Sequence, residues 1–423
     1  MNAFWNKVRL ILADKNLVRR LLITAGLLIL FRLGDSIPIP SVNLAALAQF
    51  LTTNSFLSLL SLFSGGGVSR LSIFMLATGP YITASIIMQL MTMIFPKLKE
   101  MYQEEGDLGR KKFAQYTRLV GLPLAFIQGF GLLTLLKSQG ILGSISFFDE
   151  IVSLIVIAAG SMLVMWIGEL ISEYGIGNGI SLIIFAGIVA RIPTEISQVA
   201  ANFTPADLPM YVLALALGVL VIAAVVFVTE AERPIPVTYA KQVRGTKVYG
   251  GASTYLPLRV NQAGVIPIIF ALSILLFPQM IVSLFAGVTN SVVVAIVGFV
   301  RAFINNIWLY SAAYFILVFV FTYFYTAVTF DPELISTNLQ KNGAFIPGIR
   351  PGRPTADYLG RVLTRLTLVG ATFLGLIAVL PLILQAATGN SNFAIGGTAM
   401  LIVVSVVLEF AKQLDAQVTM KEY

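Results

Sequence analysis

The stretch Phe56-Leu-Ser-Leu-Leu-Ser-Leu-Phe63, closed by Ser64-Gly-Gly-Gly67, decides the fold of this chain. The apolar run has the composition of a helix but covers only about one-third of the ~20 residues that a membrane-spanning helix needs. The glycines then stop it, because glycine loses the most backbone freedom on ordering. A second apolar segment follows, expected as a helix from about Ile73 to Phe95 and long enough to cross a bilayer. A half-helix feeding a full one through a glycine hinge cannot lie against lipid, where each unpaired backbone group costs several kcal/mol. It must be enclosed by protein or line a water-filled cavity, which points to a channel or a transporter.

Composition agrees with a membrane setting. The 423 residues are 57% hydrophobic and 11% charged, with a mean hydropathy of +0.88. A soluble domain of this length does not have such a composition. The chain contains no cysteine and no histidine, so disulfides, thiol chemistry, imidazole bases and the usual zinc sites are excluded, and no cofactor is called for. At the N-terminus, Met1, Phe4, Trp5, Val8 and Leu12 share one helical face with Lys7, Arg9 and Lys15 among the polar positions. Residues 1–20 therefore read as a cytoplasmic interfacial amphipathic helix rather than as a cleavable signal.

Ten spans are expected: Leu21–Ile37, Ile73–Phe95, Arg118–Lys137, Ile151–Ser172, Gly179–Val199, Met210–Thr229, Ala263–Phe285, Ile307–Thr329, Arg361–Gln385 and Gly396–Gln413. The charges test this division. With the N-terminus in the cytoplasm, 23 of the 28 basic residues fall on that side, leaving Arg32, Arg70, Lys137, Arg191 and Arg301. The positive-inside rule predicts this sorting, and both termini, including the tail at 414–423, are then cytoplasmic. The ten spans divide into halves at 21–199 and 210–413, joined by an external loop at 200–209. Other external loops read as shorter connectors, apart from the one holding the half-helix at 55–67.

Two cytoplasmic loops, 230–262 and 330–360, are too long to be connectors. The first alternates around Ile235, Val237 and Tyr239, and Arg244-Gly245 can turn it into a second strand through Val248. The second opens with Asp331-Pro332-Glu333, a cap followed by proline at the first helical position, and predicts a helix to about Asn342 that Gly343 stops. Pro347-Gly-Ile-Arg-Pro-Gly352 then forms a rigid turn with Arg350 near its tip. Gly175-Ile-Gly-Asn-Gly179 lacks the lysine and the preceding strand of a phosphate loop, and reads as a tight turn or a close helix approach. Ionisable residues within the spans are few. Arg32 and Glu409 read as snorkelling or structurally paired groups. That scarcity opposes the main alternative, a small-solute secondary transporter, which needs mid-membrane carboxylates. A lipid-active integral enzyme lacks a plausible serine–lysine pair as well as histidine and cysteine.

Motifs along nearly the whole chain resemble the SecY family, the large subunits of the bacterial protein-conducting channel. They are Phe63-Ser-Gly-Gly-Gly-Val-Ser-Arg70, Pro80-Tyr-Ile-Thr-Ala-Ser-Ile-Ile87, Arg110-Lys-Lys with Gln115-Tyr-Thr-Arg118, and Gly175-Ile-Gly-Asn-Gly-Ile-Ser181. Further on they are Tyr239-Ala-Lys, Leu256-Pro-Leu with Val260-Asn, Gly264-Val-Ile-Pro267, Phe345-Ile-Pro-Gly-Ile-Arg-Pro-Gly352 and Thr364-Arg-Leu-Thr-Leu-Val-Gly370.

The resemblance implies an all-α polytopic membrane protein of ten helices in two pseudo-symmetric halves around a pore. The half-helix becomes a plug, carried by Phe56, Leu60, Phe63, Gly65, Gly66, Gly67 and Arg70. Spans two and seven, flanked by three and eight, become a lateral gate toward lipid. The pore constriction maps to Thr78, Ile82, Ile180, Ile184, Ile269 and Ile402, with Thr78 polar where the family carries an aliphatic residue. Without the resemblance, such isoleucines would be assigned to lipid or to helix contacts. Lys241, Arg244, Lys247 and Arg350 become contacts for cytoplasmic partners, although positive-inside topology explains the lysines equally well. The implied partners are SecE and SecG subunits, the ATPase SecA, the ribosome through its RNA, signal sequences and nascent polypeptides, and membrane lipid. The implied location is the bacterial inner membrane.

Overall fold

The computed structural model describes residues 13–39, 66–138, 141–142, 146–201, 205, 208–239, 242–244, 247–249, 253–285, 290–388 and 392–422. Each of the ten expected spans is met by a helix. The first half holds α1 (Lys15–Asp35), the single turn α2 (Gly67–Arg70), α3 (Gly79–Ile94), α4 (Pro96–Gln103), α5 (Gly106–Ser138), α6 (Phe147–Tyr174), α7 (Gly179–Val189) and α8 (Ile192–Ala201). The second holds α9 (Leu208–Glu230), α10 (Ile266–Leu284), α11 (Ser291–Asn305), α12 (Ile307–Thr329), α13 (Pro332–Lys341), α14 (Arg353–Thr388) and α15 (Asn392–Glu422). Strands among the described residues are confined to the two long loops: β1 (Glu232–Tyr239), β2 (Gln242–Arg244), β3 (Lys247–Tyr249), β4 (Ser253–Arg259) and β5 (Ala344–Phe345).

Several boundaries differ from expectation for identifiable reasons. The second span starts at Gly79, not Ile73, because Pro80 lies in its first turn and a proline ring excludes a helical carbonyl four residues upstream. The first helix starts at Lys15, where the Asp14 side chain accepts a hydrogen bond from the Asn16 amide at 2.9 Å. Residues 15–20 belong to the helix of the first span, and residues 1–12 of the expected interfacial helix lie outside the described residues. The fifth span is interrupted at Ala190–Arg191, between α7 and α8. α15 runs on to Glu422, so the 414–422 tail is helical. The expected connector between the seventh and eighth spans contains the 15-residue helix α11.

The two halves meet along two seams. On one, α10 packs against α3 and α5; on the other, α7 packs against α15. Within the second half, α12 and α14 form the most extensive helix pair, with α10 and α15 beside them. A single apolar core joins the halves, running from Phe31, Ile86 and Ile167 through Ile183 and Ile188 to Ile268, Leu272, Val318 and Leu401. Glycine makes the tight bend between α6 and α7 possible. Gly177 has φ +93, and a Cβ on Gly179 would strike the Gly168 carbonyl. Asn178 caps α7 by accepting from the Ile180 and Ser181 amides, and Thr24 Oγ1 on α1 accepts from the Ile176 amide at 3.2 Å. The expected tight turn and close approach at 175–179 are both present.

The long loops fold into a small body of their own. β1 lies between β4 and β5, antiparallel to both, with Ile235 opposite Leu256 and Val237 opposite Thr254. Ile235 and Val237 are buried with Leu258, Ala344, Ile346, Leu359 and Val362, which roots the sheet on the start of α14. The expected alternation ends there, since Tyr239 is exposed. β2 and β3 pair antiparallel, with Arg244 opposite Lys247, as a separate small hairpin; the strand around Ile235 and Val237 pairs with β4 and not, as expected, with the strand through Val248.

Candidate functional site

The non-helical segment 71–78 answers the question raised by the glycine hinge. Leu71 and Ala77 both take positive φ, at 43° and 42°, yet the segment is buried along nearly all its length. Its backbone is paired from several sides. The Ile73 amide donates to the Ile37 carbonyl at 3.0 Å, and the Ile39 amide to the Leu71 carbonyl at 2.8 Å. The Ser161 hydroxyl donates to the Ala77 carbonyl at 2.9 Å. Gly160 lets the Ile73 carbonyl approach α6, a position that any Cβ would occupy. Irregular backbone at membrane depth is tolerated only under such enclosure.

Asp35 anchors this neck. Its carboxylate is fully buried and accepts from Arg32 Nη1 at 2.8 Å and from Ser72 Oγ at 3.1 Å. Phe31 stacks on Phe74 with ring centroids 6.0 Å apart. Arg32 is therefore one of the structural pairs expected of it. Asp35 and Ser72 escaped the sequence reading, because the 37 residues between them hide the contact. The far ends of α5 and α6 are joined by Lys137 Nζ to Glu150 at 2.8 Å.

Of the residues assigned to the plug, Phe56, Leu60, Phe63 and Gly65 lie outside the described residues. Gly66 and Gly67 are buried and Arg70 is exposed. Gly66 caps the single turn α2 with φ 96, a conformation open to glycine. A Cβ on Gly67 would press on the Phe74 carbonyl and the Asp35 carboxylate.

Four of the ring candidates lie in the core that both halves share. Ile82 on α3, Ile184 on α7, Ile269 on α10 and Ile402 on α15 are each at most 8% exposed and belong to the one core that joins the halves. Ile180 packs against it half-buried. Thr78 is buried at the cap of α3, where its carbonyl accepts from the Ile82 amide at 3.0 Å. The same core also contains Ile86 and Ile183, so burial by itself does not single out the six.

Polar side chains sit on α3 and between α3 and α5. Gln128 Nε2 donates to Thr83 Oγ1 at 3.2 Å, and Gln89 Nε2 donates to Ser85 Oγ at 3.3 Å. Gln89 Oε1 is buried with no hydrogen-bond partner among the described residues. At the sheet end of the bundle α4 turns away from α3 by 113° and reaches across to the second half. Gln103 Nε2 donates to the Val328 carbonyl at 3.3 Å, and Lys99 pairs with Asp331 at 3.8 Å. No local pattern announces these two contacts, which join residues more than two hundred positions apart.

The docking candidates sit on the loop body. Arg350 is exposed, while its carbonyl accepts from Thr355 Oγ1 at 2.8 Å. The Ser336 hydroxyl holds the Gly352 carbonyl at 2.6 Å, and Gly348 and Gly352 turn with φ 81 and 93. The frame is thus fixed and the guanidinium is presented from it. Arg244 and Lys247 are register partners across β2 and β3; Lys241 lies outside the described residues. Arg118 is committed to structure, donating from Nε to Glu169 at 2.7 Å. Lys412 is paired with Glu230 at 2.8 Å.

A family model described as SecY matches residues 72–411. The protein translocase subunit SecY of Mycobacterium tuberculosis (strain ATCC 25618 / H37Rv) is 42% identical, over 100% of this chain and 99% of that protein. The protein of the same name from Thermotoga maritima is 44% identical over 96% of this chain and 93% of that protein. Among solved structures, one described as "The structure of a protein conducting channel" superposes with a TM-score of 0.62 at 20% identity, covering 94% of this chain and 92% of that one. A second, concerned with the plug domain of SecY, superposes with a TM-score of 0.64 at 20% identity over 95% and 92%.

Proposed function

The chain belongs to the SecY family, and we propose that its two five-helix halves enclose a pore sealed by Thr78, Ile82, Ile180, Ile184, Ile269 and Ile402. It is the central subunit of a membrane-embedded protein translocase. It conducts unfolded polypeptides across the bilayer and releases transmembrane segments sideways between α3 and α10. It does no covalent chemistry; the driving force comes from partners.

The observation that carries this reading is that Ile82 and Ile184 from one half and Ile269 and Ile402 from the other belong to one apolar core. An apolar constriction resists wetting, so it blocks ions, and it closes loosely around side chains of many shapes. The segment at 55–67 acts as the plug, tethered by the neck at 37–39 and 71–73 that Asp35 fastens. The sheet end of the bundle, with both termini, faces the cytoplasm; the concentration of basic residues there supports this orientation.

On that face SecA and the ribosome dock. Arg350 on its clamped turn suits a bidentate contact to carboxylate or phosphate. Arg244 and Lys247 are register partners in the hairpin and add two basic residues to the face on which an anionic partner would dock. SecE and SecG complete the complex. The small-solute transporter reading has no observation in its favour.

Replacing Ile82, Ile184 and Ile402 together by Asn tests the ring. The expected result is a rise in closed-state ion conductance in planar bilayers and export of proteins with defective signal sequences. Asn at Ile86 and Ile183, which are equally buried in the same core, serves as the control and should have little effect on either. Equal effects from both sets would mean that the seal is not localised.

A further inference from the structure

Helix α11 occupies the end of the bundle remote from the β-sheet, between the last turn of α10 and the first of α12, and packs on both. Only Asn306 separates it from α12, whose first amides that side chain caps. Three stripes run along it. Val293, Val297, Val300 and Ile304, at i, i+4, i+7 and i+11, are half-buried and form the flank that rests on the bundle. Ser291, Arg301 and Asn305, at i, i+10 and i+14, form a largely polar stripe that also holds Gly298 and the 54%-exposed Val294. Between these two stripes Val292, Ile296 and Phe299, at i, i+4 and i+7, are 65%, 58% and 75% exposed. No residue of the helix is buried.

A soluble protein would not leave such a stripe in water, yet it fits the boundary between lipid headgroups and acyl chains. The adjoining surface continues the same pattern. Trp308 and Leu309 open α12 at 65% and 50% exposure, and Phe285 follows α10 at 45%. Tryptophan at the end of a span marks the interfacial level. Arg301 is exposed and has no ion-pair partner among the described residues, and an exposed guanidinium suits a bidentate contact with a headgroup phosphate.

We propose that α11 is an interfacial lipid-binding helix: Val292, Ile296 and Phe299 seat among the upper acyl carbons while Arg301 engages lipid phosphate. The helix is thereby held at a fixed depth, and it carries α10 and α12 with it at that end of the bundle. The proposal rests on the multi-pass membrane reading but not on protein conduction, so its failure would leave the channel function untouched.

The chain has no cysteine, so single cysteines at Ile296, Phe299 and Asn305 can each carry a nitroxide without background labelling. The full chain with its companion subunits is reconstituted in 3:1 phosphatidylethanolamine–phosphatidylglycerol vesicles, and collision rates with oxygen and with a water-soluble nickel chelate are compared. Labels at 296 and 299 should favour oxygen several-fold, with the ratio reversed at 305. In an Arg301→Glu background both ratios should fall toward the aqueous value, whereas Arg301→Lys should keep them. Three results would overturn the proposal. The first is labels at 296 and 299 as water-accessible as 305; the second is exclusion of both reagents there, which would mean that protein covers the stripe. The third is ratios unmoved by Arg301→Glu.

Discussion

Among single residues, the isoleucines of the ring and the isoleucines around them are chemically alike. Ile82 and Ile86 share α3, Ile183 and Ile184 are neighbours on α7, and all four are buried in one core. Hydrophobic periodicity cannot separate them, because helices packed on all sides are apolar all round. Their assignment came from motif positions alone. Polar residues in the core are more readable one at a time. Tyr314 is 1% exposed on α12, and its hydroxyl has no partner among the described residues. An unpaired buried hydroxyl costs about 1–3 kcal/mol of desolvation. Tyr314→Phe should therefore leave the detergent-solubilised protein as stable or raise its melting temperature. A clear fall in a thermal-shift measurement would mean that the hydroxyl bonds to something essential. Asp35 is the opposite case, a buried carboxylate whose acceptor positions are filled by Arg32 and Ser72. Its partner lies on the other side of the glycine hinge, so no local pattern announced it.

At the level of elements, local chemistry was legible where it acts over a few residues. The cap at Asp331, which accepts from the Glu333 and Leu334 amides, and the stop at Gly343 with φ 65 were both visible in the sequence. The pairing of 242–244 with 247–249 is legible only in part, since the strand at 232–239 takes β4 as its partner, a pairing that local turn chemistry does not announce. The start of α3 is not legible from hydropathy, because the apolar run from Ile73 is continuous and only Pro80 marks the boundary. Helix α11 is not legible either, because its residues are nearly all apolar and its amphipathic pattern lies in a narrow stripe. The turn around Arg350 yields a functional prediction. Its carbonyl and that of Gly352 are held by Thr355 and Ser336, so a substitution at Arg350 changes the side chain and not the frame. Arg350→Glu should stop SecA-driven export into inverted vesicles while SecE binding and closed-state ion leak stay normal. Arg350→Lys should be impaired less, since an ammonium lacks the planar fork of a guanidinium. Near-normal export by Arg350→Glu would reduce the charge of this loop to topology.

Across the whole molecule, the division into two halves was legible because charge sorting and span count agree. The seams were not, since they depend on contacts between residues far apart in sequence. One seam brings α10 against α3 and α5, and beyond its sheet end α4 ties across through Gln103 to Val328 and Lys99 to Asp331. The exposed ion pair contributes little by itself, about 0–1 kcal/mol, so the tie is one that binding of a partner can undo. With Gln103 and Val328 replaced by cysteines and joined by a short cleavable crosslinker, insertion of transmembrane segments should stop and should return on cleavage. Insertion that continues while the seam is locked would exclude this seam as the exit to lipid. The central claim, that a polypeptide passes through the apolar junction of the halves, is tested most directly by contact with the polypeptide itself. A secretory protein stalled partway, carrying one cysteine in its translocating stretch, is offered to channels with a single cysteine at Ile82, Ile184, Ile402 or the outward-facing Phe227, which is 76% exposed. Disulfide formation is predicted at the first three positions and not at Phe227; crosslinks absent from all three ring positions, with the chain still in transit, would contradict the account.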